Sequence, residues 1–335
     1  MKAYKLLQMG AAYAQSLSSF HLNGKPRPFS ASFAVTNKCN LRCAYCDLPN
    51  IKAPELSLDQ IDVLFKKLRK MGVLRLGLFG GEPLVRKDIG EIVKLAKKHG
   101  FFISLNSNML LYERFKDVLD PVDYFFVSID GTPEKHIANR GNQKFEVILD
   151  SVRDIVSRKK KVTAICVVTD SDKATADYLI DLAIREKMDV HFQPECYDSE
   201  CAGRTAPDDL EQEATRQFWL YLLERKKQGA PITSSKGYLE YISKWHNYKE
   251  TSVYDPQHKC MAGSGFLSID PSGIAYPCIF TKGNFEGIDL MKYEWEDKFD
   301  GTTPCTKCIV GPLVEYNLLF HKPISATLEA LSKIN

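Results

Sequence analysis

Ten cysteines are the first feature of this 335-residue sequence that suggests chemistry, and seven of them fall into two groups. The first group consists of Cys39, Cys43 and Cys46, and the second consists of Cys260, Cys278, Cys305 and Cys308. In a reducing cytosol thiols do not persist as disulfides, so clustered cysteines there usually hold metal or do redox chemistry. The grouping therefore predicts two metal or redox sites.

The first group has the spacing C-x3-C-x2-C and directly follows a predicted strand. Three thiolates at this spacing can wrap one cubic iron–sulfur cluster and leave its fourth iron without a protein ligand. An open iron can chelate the amino and carboxylate groups of a methionine, as an open zinc site takes a substrate. Zinc is the alternative, but structural zinc normally has four ligands and no nearby histidine supplies the fourth. The pattern favours an iron–sulfur cluster.

This string resembles the defining motif of the radical S-adenosylmethionine (SAM) superfamily, in which an aromatic residue usually precedes the last cysteine. Tyr45 stands at that place. The resemblance implies a 4Fe-4S cluster that donates one electron to SAM and releases methionine and a 5′-deoxyadenosyl radical. It also implies a flavodoxin- or ferredoxin-type electron donor.

A glycine-rich string after the second predicted strand matches the family's site for the SAM amino group; it reads Gly80, Gly81, Glu82 and Pro83. Two glycines let backbone groups approach a ligand closely, and the proline fixes the turn. Without the preceding cysteines the same string would fit an ordinary tight turn.

Two later strings complete the resemblance. Ser128 and Asp130 belong to an S-x-D-G string with Arg140 downstream, and in relatives such a serine and arginine hold the SAM carboxylate. An ordinary strand-end turn with an exposed arginine is the alternative. Asn106 lies where relatives have a T-N-G-like string, from which this chain departs, and it is expected among the SAM contacts.

The second cysteine group resembles the start of the family's SPASM domain, with C-x(9–15)-G-x4-C from Cys260 through Gly273 to Cys278 and a later C-x2-C. No cysteine follows Cys308, so the region resembles the shorter twitch type, with four thiolates holding one auxiliary 4Fe-4S cluster. A zinc site with four cysteines is the alternative. Four protein ligands favour electron transfer or a structural role over substrate binding.

A polar connector follows the last barrel strand and is expected to line the substrate pocket. Within it Glu195 is a candidate base, and Cys196 or Tyr197 is a candidate hydrogen-atom donor. The alternative is a polar loop with incidental thiols, Cys201 included. Cys166, inside a predicted strand, is expected to be a small core residue.

These motifs need a scaffold that brings strand ends together. Short apolar runs alternate with amphipathic stretches, which is typical of repeated β/α units. The predicted strands cover residues 30–36, 74–79, 101–105, 124–129, 162–168 and 190–193, and the predicted helices between them cover 58–71, 85–99, 109–118, 145–157 and 174–187. We expect an α/β fold, a partial (β/α)6 TIM-like barrel with a small twitch- or SPASM-like domain, because motifs at successive strand ends share one barrel face.

The expected division of the chain is an N-terminal helix or extension at 1–29, the barrel at 30–200 and a helical bridge at 201–256. The cluster domain follows at 257–315, and a final helix over 324–334 lies in the last segment, 316–335. The N-terminal segment is expected to cover the barrel, and peripheral contact with a membrane surface is the alternative.

Bulk properties exclude some partners. The formal charge of +3 gives no reason to expect nucleic acid, and neither a secretory signal nor a long apolar run is present, so we expect a cytoplasmic protein.

Three functions remain open. A small-molecule or lipid enzyme is favoured over a peptide maturase because only about 30 residues precede the first strand, too few for a leader-binding domain. The third is a non-catalytic, zinc-binding scaffold.

Overall fold

The computed structural model describes residues 3–22, 25–141, 144–197, 202–281 and 284–321. Cys201 and the helix expected over 324–334 lie outside these ranges. The boundaries predicted for the domains stay predictions.

A parallel sheet forms the centre of the molecule, and each of the six predicted strands is present, shifted by no more than two residues at either end. Its strands are β1 (Ser30–Thr36), β2 (Arg75–Gly80), β3 (Phe102–Ser107), β4 (Tyr124–Ser128), β5 (Lys161–Val168) and β6 (Asp189–Pro194). Each pairs in parallel with the next, so their carboxyl ends meet at one edge. The predicted α/β partial barrel is therefore confirmed.

Helices connect these strands and cover the sheet. They are α2 (Leu58–Met71), α3 (Ile89–Lys98), α4 (Tyr112–Phe115), α5 (Pro133–Arg140), α6 (Phe145–Ser157) and α7 (Lys173–Glu186). Ser57 and Gln60 form the predicted capping box at the start of α2, and Gly72 ends it in the left-handed conformation. Helix α4 is shorter than predicted because the chain takes a turn at Met109, which has a φ of 62°.

The sheet extends beyond the predicted strands. The C-terminal part of the chain contributes three more strands: β8 (Phe266–Ile269), β9 (Ile274–Tyr276) and β10 (Ile288–Asp289). Strand β8 pairs in parallel with β1, so the described residues form a nine-stranded sheet in the order β10-β9-β8-β1-β2-β3-β4-β5-β6. The first strand of the second cysteine region is thus part of the barrel sheet.

The remaining elements lie outside the six β/α units and the nine-stranded sheet. They are α1 (Ala3–His21), α8 (Gln212–Lys227), α9 (Lys236–Ile242), β7 (Ser252–Val253), α10 (Trp295–Lys298), β11 (Lys307–Cys308) and α11 (Gly311–His321). Phe20 of α1 packs with Phe29, Phe266 and Phe320 in one buried apolar cluster that includes Cys278. Helix α1 therefore packs beside the second cysteine group. Among the described helices, none combines the length and apolarity that crossing a membrane requires.

Candidate active site

One open cavity at the carboxyl ends of β1 to β4 brings together most of the predicted site residues. Its space, counted out to the open solvent at its mouth, amounts to about 620 Å³. Its lining includes Cys39, Cys43, Tyr45, Cys46, Gly80, Gly81, Glu82, Asn106, Ser128 and Arg140. Pro83 and Asp130 are buried next to the lining residues.

The three cysteines lie in the cysteine loop, residues 37–47, directly after β1. All three are half-buried. Burial raises the pKa of Cys43 to about 11, and it raises the pKa of Cys39 and of Cys46 as well. The backbone N–H of Leu41 points at Sγ of Cys39 at 3.4 Å, a contact that favours the thiolate. Metal binding displaces the thiol proton, and the positive charge of a bound metal would offset the cost of burying the thiolates.

The two glycines of the glycine-rich string lie close to the end of β1 and to the start of the cysteine loop. A Cβ at Gly80 would collide with the carbonyl oxygen of Thr36, and one at Gly81 would collide with the carbonyl oxygens of Asn37 and Lys38. Gly80 also has a φ of 142°. Sequence reasoning assigned these glycines to close approach by a ligand, whereas the structure shows that they first permit close approach of the cysteine loop.

Glu82 joins this turn to the loop after β3. Its carboxylate accepts hydrogen bonds from the backbone N–H of Leu84 at 2.9 Å, from the Ser107 hydroxyl at 2.8 Å and from the backbone N–H of Asn108 at 2.7 Å. Burial raises the pKa of Glu82, and the two backbone N–H groups and the hydroxyl oppose that effect. The side chain therefore orders the cavity wall, to which Gly80, Gly81 and Glu82 all contribute.

Asp130 connects β4 to the cysteine loop. Its carboxylate accepts two hydrogen bonds from Arg140, at 2.8 and 2.9 Å, and one from the Tyr45 hydroxyl at 2.7 Å. The Arg140 guanidinium lies 5.6 Å from the centre of the Tyr45 ring. Burial opposes the charge of Arg140, but the Asp130 carboxylate together with Tyr45 and Cys43 outweighs it and raises the pKa of the guanidinium. Asp130 thus fixes the orientation of Arg140 at the cavity.

His136 is a residue of this network that sequence reasoning missed. Its Nδ1 accepts a hydrogen bond from the backbone N–H of Asp130 at 3.3 Å, and its Nε2 has no partner among the described residues. Burial, together with the nearby Arg140 charge, lowers the pKa of His136 to about 4. The only signal in the sequence is its position on an amphipathic helix between Asp130 and Arg140.

The second cysteine group converges around Cys308. Burial raises the pKa of Cys308 well above its ordinary value, and nearby Cys260, Cys278 and Cys305 add to that effect. The backbone N–H of Ala262 and the side-chain amide of Asn317 point at Sγ of Cys260, at 3.4 and 3.6 Å. The four predicted cysteine ligands therefore lie close to one another. The N–H groups that point at Sγ of Cys260 favour a thiolate there.

Neither cysteine group forms a compact site for a single ion within the described residues. A cubane does not require one, because its thiolates bind separate corners of the cluster and stand farther apart than ligands that share one ion.

The connector after β6 lies beside the cysteine loop, but Glu195, Cys196 and Tyr197 do not line the cavity. Both oxygens of Glu195 accept hydrogen bonds from Arg204, each at 2.7 Å. Burial raises the pKa of Tyr197 to about 12, with the Glu195 charge adding to it. Arg204 was not predicted, because no spacing pattern relates it to Glu195. Cys166 is buried in β5, as expected.

Comparison with known proteins agrees with this geometry. The model of the Radical SAM superfamily matches residues 33–182. Over 88 residues the chain is 39% identical to a probable GTP 3′,8-cyclase of Archaeoglobus fulgidus, which covers 26% of this chain and 29% of that protein. Over 98 residues it is 33% identical to the PqqA peptide cyclase of Bradyrhizobium diazoefficiens, which covers 28% of this chain and 26% of that protein. These matches span less than a third of either relative's length.

Solved structures share the fold over a much larger part of the chain. Streptococcus suis SuiB bound to S-adenosylmethionine aligns with a TM-score of 0.68 at 16% identity, over 86% of this chain and 69% of that one. The native anSMEcpe structure with bound S-adenosylmethionine aligns with a TM-score of 0.64 at 18% identity, over 82% of each chain. At these identities, both structural similarities concern the fold alone. The cysteine motif and the partial barrel lie in the same region as the family match, so over residues 33–182 this chain is similar to the Radical SAM superfamily.

Proposed function

We propose that the protein is a radical SAM enzyme whose catalytic 4Fe-4S cluster is held by Cys39, Cys43 and Cys46. The observation that carries the proposal is that three thiols share one cavity with a glycine-rich turn and a buried arginine. When bound, the cluster supplies the electron that cleaves SAM to methionine and a 5′-deoxyadenosyl radical.

The cavity wall supplies groups for the charged end of SAM. Arg140 and Ser128 face the cavity and would hold the SAM carboxylate, since a guanidinium matches a carboxylate in geometry and charge. The backbone of Gly80 and Gly81 would take the amino group together with Glu82, whose carboxylate three protein donors already hold in place. Asn106 belongs to the same wall.

The buried residues next to the wall would set its geometry. Tyr45 and Asp130 hold Arg140 in place, and Pro83 begins the short helical turn after Glu82. These residues act before SAM arrives, so their contribution would be preorganisation of the site rather than contact with the reacting atoms.

We infer that the second group, with Cys308 at its centre, binds one auxiliary 4Fe-4S cluster. Four thiols in one neighbourhood, with N–H donors aimed at sulfur, support full ligation by cysteine and a role in electron transfer. A four-cysteine zinc site is the competing assignment, and metal analysis distinguishes the two.

For the substrate, relatives favour a peptide over the small molecule or lipid that the sequence suggested. One relative is named a peptide cyclase, and SuiB has been solved with a precursor peptide bound. We therefore propose a peptide-modifying enzyme that receives its electron from a flavodoxin- or ferredoxin-type donor. Cys196 and Tyr197 stay candidates for hydrogen-atom donation, and the ion pair with Arg204 favours a positioning role for Glu195.

Anaerobic incubation with reductant, SAM and deuterated candidates tests this proposal. Peptides encoded near the gene and a panel of small metabolites are supplied separately, and deuterium in 5′-deoxyadenosine is followed by mass spectrometry. Transfer from a peptide supports the proposal. Transfer only from metabolites would contradict the peptide proposal and support the small-molecule function. A protein that contains zinc and does not cleave SAM would support the non-catalytic scaffold.

A further inference from the structure

The connector after β6 contacts the cysteine loop through its backbone. The backbone N–H of Gly203 donates a hydrogen bond to the carbonyl oxygen of Tyr45 at 3.0 Å. Ala202 forms an antiparallel bridge with Cys46. We call residues 202–204 the strap. The strap contacts the backbone of Cys46, the last of the three cysteines proposed to hold the catalytic cluster.

Gly203 is the residue that makes this contact possible. A Cβ at this position would lie 2.5 Å from the backbone nitrogen of Cys46, 2.8 Å from the carbonyl carbon of Tyr45 and 2.9 Å from the carbonyl oxygen of Ala44. Its φ is outside the left-handed region, so an alanine would meet no conformational penalty of its own. The requirement for glycine is therefore steric, and the atoms in the way are all main-chain atoms of the cysteine loop.

Arg204 fixes the strap to the sheet. Its Nε and Nη2 donate to the two oxygens of Glu195, each at 2.7 Å, and this carboxylate directly follows β6. The Glu195 side chain is 3% exposed and the Arg204 side chain 39% exposed. A bidentate pair in this setting holds a defined geometry, and loss of the arginine would leave a buried carboxylate without its counter-charge.

Tyr45 is consequently held from two sides. Its hydroxyl donates to Asp130 at the end of β4, and its carbonyl accepts from Gly203 of the strap. The two anchors come from different strands, and the segment they fix lies between Cys43 and Cys46. A further contact of the same segment is made by the Ala44 N–H, which donates to the carbonyl oxygen of Asn139 in α5 at 2.9 Å.

We propose that the strap, anchored by Glu195, is a positioning element for the catalytic cluster. It holds the backbone of Tyr45 and Cys46 in the conformation that wraps the cluster and covers that side of the loop. The inference rests on the proposed function, because it presumes that Cys39, Cys43 and Cys46 carry the cluster. Gly203 and Arg204 act through the loop and do not touch the reacting atoms.

The test compares Gly203→Ala with Gly10→Ala, since Gly10 has no heavy atom near enough to meet a new Cβ. Both proteins and the wild type are reconstituted anaerobically, and iron content, the electron paramagnetic resonance of the reduced clusters and the rate of iron loss in air are measured. We expect Gly203→Ala to lose iron from the catalytic cluster about tenfold faster, consistent with one strained backbone contact. The auxiliary signal and Gly10→Ala should match the wild type.

Arg204→Ala and Glu195→Gln keep the test decisive if Gly203→Ala does not fold. Both remove the anchor without adding volume, and Arg185→Ala is the control because Arg185 lies in the last turn of α7 and pairs with Glu186 rather than with Glu195. Both anchor variants should lose catalytic-cluster iron faster than the control. If Glu195 were instead a base, Glu195→Gln would keep wild-type cluster stability and lose only substrate conversion.

The outcomes separate the inference from the function on which it rests. A wild type that binds no three-cysteine cubane refutes the proposed function. A wild type that binds it, with folded Gly203→Ala, Arg204→Ala and Glu195→Gln variants that keep wild-type cluster lifetimes, overturns the strap alone.

Discussion

The two cysteine groups occupy contrasting surroundings. The first group is half-buried in a loop, beside a cavity that also contains Arg140 and Glu82. In the second group Cys278 and Cys308 are buried, and the neighbouring cluster of Phe20, Phe29, Phe266 and Phe320 is apolar. Three thiols next to charged and polar groups suit a cluster that must bind a charged cosubstrate. Four thiols against an apolar wall suit a cluster that only accepts or supplies electrons.

On the proposed function, the role of each cluster would depend on the groups around its cysteines as well as on their number. Around the first group, the Asp130 carboxylate accepts from Arg140 and the Glu82 carboxylate accepts from the backbone N–H of Asn108, so both carboxylates hold the protein groups of the cavity wall in place. The second group is instead flanked by side chains that bond to its main chain, as Tyr241 donates to the Cys308 carbonyl oxygen at 3.0 Å.

Cys43→Ala gives the largest expected effect. Release of 5′-deoxyadenosine should fall to background, because two thiolates cannot hold the catalytic cubane. Iron should fall from about eight to about four per chain, since the second group is untouched. Chromatography and iron analysis measure both quantities. Normal release with four irons would mean that SAM is cleaved elsewhere.

Cys308→Ala should have the complementary effect. Iron should again fall to about four per chain, but SAM cleavage without substrate should persist, because the first cavity keeps all of its groups. Cys166→Ala is the matched control, since Cys166 is a buried cysteine outside both groups. Loss of the electron paramagnetic resonance signal of the catalytic cluster in Cys308→Ala would show that the two groups do not act separately.

Asp130→Ala should destabilise the first site strongly. It leaves the buried Arg140 without its carboxylate, and breaking a buried pair typically costs about 3–5 kcal/mol of unfolding free energy. Denaturant titration measures the loss, and SAM affinity should fall in parallel. Asp170→Ala removes an exposed partner of Lys135 instead, and should cost less than about 1 kcal/mol. Equal losses in the two variants would contradict the central role of Asp130.

His136 gives the smallest of these effects, a pH dependence. Its pKa of about 4 in the folded protein lies below the ordinary value of 6.5, so the unfolded chain binds this proton first as the pH falls. The contribution of neutral His136 to stability is complete above pH 6.5 and is lost progressively as the pH falls towards 4. The full loss is about 3 kcal/mol. Denaturation at several pH values should show it in the wild type and not in His136→Gln.

Periodicity predicted the barrel well because each β/α unit is local in sequence. Helices α2 and α6 begin and end where the apolar pattern places them, and the capping box of Ser57 marks the start of α2. Strand β8 was missed as part of the sheet, because its partner β1 lies more than 200 residues earlier in the chain. A four-residue strand between turns carries no pattern that identifies a distant parallel neighbour.

The residues of the candidate site likewise include some that the sequence identified and some that it did not. Residues in strings with family-like spacing were found, and the structure brings Cys39, Ser128 and Arg140 to one cavity. Residues that act by pairing at a distance, such as Asp130 with Tyr45 and Glu195 with Arg204, were not assigned their partners. Such pairs depend on how loops fold back on strand ends, which neither composition nor periodicity encodes.

The most direct test of the account is electron–nuclear double resonance of the reduced wild-type protein with isotope-labelled SAM. The account predicts hyperfine coupling from the amino nitrogen and a carboxylate oxygen of SAM to the cluster on Cys39, Cys43 and Cys46, which is lost in Cys43→Ala. Coupling that is absent from the wild type, or a catalytic cluster whose four irons all carry protein ligands, would contradict it.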